Sequence, residues 1–281
     1  MRIRQLDCRW SADFFKPRLV EKYGFTAYLD RDAPVVFFGM YGIMAKNQAM
    51  NHRGLMVIVW SGSDSLRLHE HTDFVAWCKQ NAHRVFHIAH SWWIQRDLEH
   101  FGLEYIDRVV LPADLSRFKF EDKAGNNVYH YGAKERLWYY GTDVMQDLRR
   151  RWEKSKLHPK VIITNHNGYN QDELYEIYKS CFIGVRLTEH DNMALSVIEM
   201  ALMGRPSIFN GNVPGAILYD DARETYTYEP EIRKKRMSSS DLINIIELIM
   251  NNMAHPSKLL AEEAREFVHD DEKWLNTEYY D

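Results

Sequence analysis

The chain has 281 residues, 45% of them hydrophobic and 27% charged, with a net charge of −4 at pH 7. That mixture belongs to an ordinary globular protein of one large or two small domains, and it excludes disorder, collagen and coiled coil as the main state. Net acidity argues against simple coating of nucleic acid, and three scattered cysteines (Cys8, Cys78, Cys181) fit a reducing compartment better than a disulfide framework. The start, MRIRQLDCRW, lacks the apolar core of a signal peptide. The longest apolar stretch, Val35 to Met44, is broken by Gly39 and Gly42 and is too short to span a bilayer. The expectation is a cytoplasmic protein with no integral membrane segment.

Short apolar runs alternate with amphipathic stretches. Val35–Phe38 reads as a buried strand ending at Gly39, Leu55–Trp60 as a second before Ser61-Gly62-Ser63-Asp64, and Val85–Ala89 as a third. A helix follows from Trp92 to Phe101, closed by Gly102, and Val109–Leu111 reads as a fourth strand. The polar stretch Pro112–Asn127 reads as a linker. Beyond it come a strand at Val128–Tyr131, a helix at Asp143–Lys154, a strand at Val161–Thr164, a helix at Asp172–Lys179 and a strand at Phe182–Val185. Leu195–Met203 is a helix ended by Gly204, Ser207–Phe209 a strand, and Asp241–Met253 and Ser257–Val268 are helices. Continuous apolar strands separated by helices imply parallel sheets in an α/β fold. The domain reading is 1–112, a linker over 113–127, a second domain over 128–254 and a helical tail over 255–281 with a route back to the first domain. Parallel sheets bind ligands at the carboxyl ends of their strands, so the loops after Phe38, Trp60, Ala89, Tyr131, Thr164 and Val185 are the places for a site.

The most informative stretch is RLTEHDNMALSVIEMALMGRPSI, from Arg186 to Ile208. It reads as a strand end, a polar loop, a helix and a Gly-Arg-Pro turn into the next strand. Asp191 precedes the helix and Glu199 lies inside it, eight steps or roughly 12 Å along. The N–H groups of Leu195 and Ser196 at the helix start suit a phosphate. An acid within the helix can accept hydrogen bonds from a ribose, as acids do in dinucleotide sites. Taken alone, the two acids favour an amphipathic helix carrying solvated carboxylates; Gly204-Arg205-Pro206 and the order of the domain reverse that preference.

This segment resembles the second acidic motif of GT-B glycosyltransferases, glycosyltransferase family 4 in particular: an acid, seven residues, a glutamate, then a small residue, Gly, a variable residue and Pro. Asp191 stands where Glu is usual, and Asn192-Met193-Ala194 replaces a Gly-rich stretch. His87 to Phe118 is similar to that family's crossover between domains, with Ser91, Gly102, Pro112, Asp114 and Phe118 matching, and Gly168 to Cys181 to the loop and helix bordering the base. The resemblance covers about Val85 to Phe209. It implies an α/β GT-B fold of two Rossmann-like domains facing each other across a cleft. It also implies Asp191 toward the donor sugar, the Leu195 and Ser196 amides on the diphosphate, Glu199 on the ribose, and Gly168 and Tyr169 near the base. A basic pair, Lys134 and Arg136, with Arg186 as a second candidate, would neutralise the diphosphate leaving group; the same two residues can be plain loop charges.

On the first-domain side, Gly39 in FFGMYG leaves room for a donor to approach the backbone or simply forms a turn. Asp64 can orient an acceptor hydroxyl or cap a helix. Ser91 and His90 stand at a strand end, and His90 is the histidine singled out for catalysis. His69-Glu70-His71 and His87 with His90 match no strong zinc spacing, and P-loop and Gly-x-Ser-x-Gly patterns are absent. The basic clusters Arg149 to Trp152 and Arg233 to Arg236 read as solvated faces or as phosphate contacts.

The expected function is retaining transfer of a sugar from a nucleotide sugar, read as a UDP-sugar, to a hydroxyl of a glycan or glycolipid. No metal or other cofactor is required. A viral DNA glycosyltransferase acting on a hydroxymethylated base, in host cytoplasm, is one alternative; a non-catalytic nucleotide- or sugar-binding module is another.

Overall fold

Alternate residues of the central strands face two different cores, and this decides the architecture. The computed structural model describes residues 1–132, 137–154, 158–164, 169–188, 190–219, 239–252, 255–269 and 272–280. The chain forms two units: Met1–Asp114 with His190–Met193 and His269–Asp281, and Leu115–Glu189 with Ala194–Val268.

The first unit is built on a parallel five-stranded sheet in the order β2-β1-β3-β4-β5. The strands are β1 (Gln5–Cys8), β2 (Thr26–Ala27), β3 (Val35–Phe38), β4 (Met56–Val59) and β5 (Val85–Ile88). Val35, Phe37, Met56, Ile58 and Val85 enter one apolar cluster with residues of helices α2 (Gly42–Met50), α3 (Thr72–Gln80) and α4 (Trp92–His100). Val36, Phe38, Val57, Val59 and Ile88 enter another with helix α1 (Lys16–Tyr23) and Trp274-Leu275 from the chain end. A sheet buried on both faces needs apolar residues at every position, which is why these strands read as unbroken runs.

β1 escapes that pattern. Gln5 and Asp7 are polar yet buried, and each is satisfied by side-chain bonds. Gln5 donates to the carbonyls of Asp30 and Ala33 and accepts from the N–H groups of Leu29 and Asp30, and Asp7 pairs with Arg9 at 2.7 Å. The sequence reading of Val109–Leu111 as a strand is corrected. The sheet continues past β5 only through a single parallel bridge between Ile88 and Ile106. The short run before Pro112 instead buries Val110 against the core without ladder bonds.

The second unit holds a parallel sheet in the order β10-β9-β8-β6-β7. Its strands are β6 (Asn127–Tyr131), β7 (Val161–Thr164), β8 (Cys181–Val185), β9 (Ser207–Ile208) and β10 (Ala216–Ile217). Its helices are α5 (Thr142–Glu153), α6 (Gln171–Lys179), α7 (Leu195–Leu202), α8 (Ser239–Asn251) and α9 (Lys258–Phe267). α6 starts with a capping box between Asn170 and Glu173. α7 is buried from Ser196 to Leu202, the mark of an interior helix, and α9 packs on it. Gly204 ends α7 at φ +82°, where a Cβ would meet Ser257 O at 2.8 Å.

Much of the stretch read as a linker is packed into this unit: Phe118 lies 5.8 Å from the Tyr178 ring, Arg117 pairs with Asp172, and Tyr175 donates to Glu121. The tail divides, α9 belonging to the second unit and His269 onward to the first. There Ile3 N donates to Leu275 O at 2.6 Å.

Candidate functional site

In the second unit the polar groups gather at the carboxyl ends of β6 and β8 and at the start of α7. Arg186 directly follows β8 and is anchored by its N–H to Ile208 O at 2.9 Å. Its guanidinium carbon stands 4.5 Å from the centre of the Tyr131 ring and 5.5 Å from that of Tyr140, with the two rings edge to face at 5.2 Å. An arginine so held keeps its plane fixed by cation–π contact. His130 braces the strand beneath. It is fully buried, bonded to Val185 O at 2.9 Å and to Thr142 Oγ1 at 3.3 Å, and burial pushes its pKa down to about 3. The neutral ring therefore donates from Nδ1 to the carbonyl and accepts at Nε2.

α7 begins without a side-chain cap. Val197 and Ile198 donate to Ala194 O; among the described residues, the N–H groups of Leu195 and Ser196 have no such acceptor. These groups and the helix dipole form an anion-attracting end. One turn on, Glu199 is 5% exposed and accepts a 2.7 Å hydrogen bond at Oε2 from Tyr178 Oη. Tyr178 meets Tyr129 edge to face at 4.8 Å, and Thr164 Oγ1 donates to Tyr129 Oη at 2.8 Å. Burial and the neighbouring Glu199 carboxylate hold the Tyr178 hydroxyl far above its ordinary range.

In the first unit, residues 190–193 are docked by three bonds and braced by one of their own. His190 Nε2 meets Asp97 Oδ2 at 2.9 Å, and Ser91 Oγ donates to Asp191 O at 2.7 Å. Asn192 Nδ2 donates to Trp60 O at 3.0 Å, and Asn192 N donates to Asp191 Oδ1 at 2.9 Å. Ser65 Oγ reaches the same Asp97 oxygen at 2.6 Å. Asp191 and Glu199, close in sequence, thus belong to different units.

Several expected site residues also brace the backbone. Asp64 is 1% exposed and accepts from Met40 N at 2.8 Å and Ser61 N at 3.2 Å. It does not cap the following 3-10 turn, and burial raises its pKa to about 6. Ser91 is buried on Asp191 O. The room beside Gly39 is filled by its own chain: at φ +78° a Cβ would lie 2.7 Å from Ala12 Cβ and 2.9 Å from Ser61 Oγ, so the glycine serves a tight turn. His90 pairs with Asp107 at 2.8 Å, and Tyr169 is exposed at the entry to α6. Lys134, Arg136 and Gly168 lie outside the described residues, as does the cluster Arg233 to Arg236.

The sequence reading missed the Tyr131–Tyr140 frame of Arg186, the partner of Glu199 and the Asp97–His190 pair. Only the first left a signal, in the aromatic pair Tyr139-Tyr140 just before a glycine. Among the described residues no group of three or more His, Cys, Asp or Glu is placed to hold a metal ion, and no helix is long and apolar enough to cross a membrane.

No protein-family model and no curated protein sequence matches the chain. Solved structures do. HepE from Anabaena, in complex with UDP and glucose, is 13% identical with a TM-score of 0.54 over 95% of this chain and 94% of that one. Sucrose-phosphate synthase from Thermosynechococcus elongatus is 13% identical with a TM-score of 0.52, over 95% and 74%. A TarM variant from S. aureus, in complex with fondaparinux, α-GlcNAc-glycerol and UDP, is 12% identical with a TM-score of 0.50, over 96% of this chain but only 57% of TarM. The chain thus spans little more than half of TarM's length and nearly all of HepE's. These neighbours are GT-B glycosyltransferases, and the two parallel α/β sheets here have the GT-B fold.

Proposed function

We propose that this protein is a glycosyltransferase that moves a sugar from a nucleotide-sugar donor, a UDP-sugar, to a hydroxyl of a glycan or glycolipid. The observation that carries this reading is the start of α7, where two N–H groups with no acceptor among the described residues precede a buried carboxylate by about one helical turn. A nucleoside diphosphate presents complementary chemistry, anionic oxygens followed by a vicinal diol. UDP as the nucleotude's identity is supported by the complexes of HepE and TarM.

In this reading the Leu195 and Ser196 amides bind the diphosphate and Glu199 accepts from the ribose hydroxyls. Arg186 faces the charge that grows on the leaving group as the glycosidic bond breaks. Lys134 and Arg136 are further candidates for that charge, Gly168 and Tyr169 border the base, and Asp191 faces the donor sugar. His90 and the loops after β3, β4 and β5 form the acceptor side. Retention at the anomeric carbon and independence from metal follow the family resemblance. DNA is the weaker acceptor. The basic run on α5 is partly offset by its own helix, since Arg149 pairs with Glu153 and Arg150 and Arg151 share Asp147.

The test is thermal stabilisation by UDP, followed by UDP release from a panel of UDP-sugars with and without acceptors. A true donor raises the melting temperature by mass action. Failure of UDP to stabilise the protein would sink the reading; binding without hydrolysis or transfer would assign it to a non-catalytic binding module.

A further inference from the structure

Two hydrogen bonds of the second unit flank a buried pair of tyrosines, and one of them ends on Glu199. Thr164 Oγ1, at the carboxyl end of β7, donates to Tyr129 Oη on β6 at 2.8 Å. The Tyr129 and Tyr178 rings meet edge to face at 4.8 Å, and Tyr178 Oη on α6 donates to Glu199 Oε2 on α7 at 2.7 Å. Exposures are 3% for Thr164, 2% for Tyr129, 1% for Tyr178 and 5% for Glu199. The Tyr178 hydroxyl has one proton and gives it to the carboxylate.

Tyr178 is fixed by its own ring packing against Tyr129 and Phe118, so the scaffold decides which oxygen of Glu199 accepts from it. We infer that Tyr178 is a positioning residue that aims the Glu199 carboxylate at the ribose diol and thereby sets the site's preference for ribose over sugars lacking those hydroxyls. The inference rests on the proposed role of Glu199. Removing the Tyr178 hydroxyl takes away the donor that fixes Oε2, and the carboxylate is then free to turn from the diol. The rings of Tyr178, Tyr129 and Phe118 stay packed, because their contacts involve the ring faces and edges and not the hydroxyl.

The experiment compares calorimetric affinities for UDP and 2′,3′-dideoxy-UDP in the wild type, Tyr178→Phe, Glu199→Gln and the double variant. The wild type should prefer UDP. Tyr178→Phe should cut that preference by about tenfold, mostly through weaker UDP binding, and the double variant should lose little more than Glu199→Gln alone. A purely structural tyrosine would weaken both ligands equally and leave the ratio intact, which would overturn the inference. If the wild type binds neither nucleotide, the functional reading itself falls and takes the inference with it. If it binds UDP with a ribose preference that Tyr178→Phe leaves unchanged, the inference alone falls. Should Tyr178→Phe not fold, 4-methylphenylalanine at position 178, which fills the hydroxyl's space without donating, reads the same ratio, and a wild-type ratio there overturns the inference.

Discussion

His190 and Asp97 lie 93 residues apart in sequence and meet through a 2.9 Å hydrogen bond with neither side chain exposed. Ser65 joins on the same carboxylate oxygen, and the four-residue segment His190–Met193 is held where Asp191 can be presented from a fixed backbone. Deleting one partner takes a buried hydrogen bond from the other. His190→Ala or Asp97→Ala should each cost about 2–4 kcal/mol in urea unfolding. The double variant should lose far less than the sum; full additivity would show the pair to be uncoupled.

Two buried groups of the first unit give opposite responses to pH. Asp64 is raised from 3.8 to about 6 by burial, so the folded state keeps a proton that the unfolded chain releases. Its contribution to stability is complete below pH 3.8 and is lost as pH rises through 6. His87 is lowered from 6.5 to about 4 by burial, with Trp60 Nε1 donating to its Nδ1 at 3.2 Å. Its contribution is present above pH 6.5 and is lost as pH falls through 4. Each is on the order of 3 kcal/mol across its window, so the two largely cancel from about pH 4 to 6. Asp64→Asn should steepen the loss of stability in acid and His87→Gln should reverse it, read from denaturation midpoints over that range. Parallel curves for both variants and the wild type would refute the assignment.

Arg186 owes its orientation to two aromatic rings. A lysine carries the charge but lacks the planar guanidinium, so Arg186→Lys should not restore what Arg186→Ala removes. Both should lower the rate of UDP release with an acceptor present by about 100-fold, with a smaller change in KM. An unaltered rate in the alanine variant would exclude Arg186 from leaving-group stabilisation.

Gly204 ends α7 in the left-handed region, where its added Cβ would also press on the Phe120 ring at 2.9 Å. Gly204→Ala should destabilise the second unit by more than about 1 kcal/mol, combining backbone strain with crowding of the turn before Ser207. A thermal midpoint equal to wild type would mean that the turn relaxes freely.

The parallel strands were legible because a sheet covered on both faces needs apolar residues at each step: Val35–Phe38 and Met56–Val59 announce themselves. β1 was not, because Gln5 and Asp7 interrupt its run and find partners only in the folded chain. Val109–Leu111 misled for the converse reason: apolar composition records burial, which Val110 has, but not ladder bonding, which it lacks. At the site, the helix over Leu195–Leu202 and the Gly-Arg-Pro turn were readable from local spacing, whereas the bond from Met40 N to Asp64 was not, because strand-end acids serve ligands and backbone turns alike.

What the sequence determined by itself is the local order of elements and the helix start that suits an anion, since both depend on residues within a few positions of each other. Tertiary structure alone decided that Tyr178 reaches Glu199, that Tyr131 and Tyr140 frame Arg186, and that Asp97 holds His190. Those pairings require distant segments to meet in a dry interior, where every buried polar group needs a partner and the identity of that partner is fixed by packing.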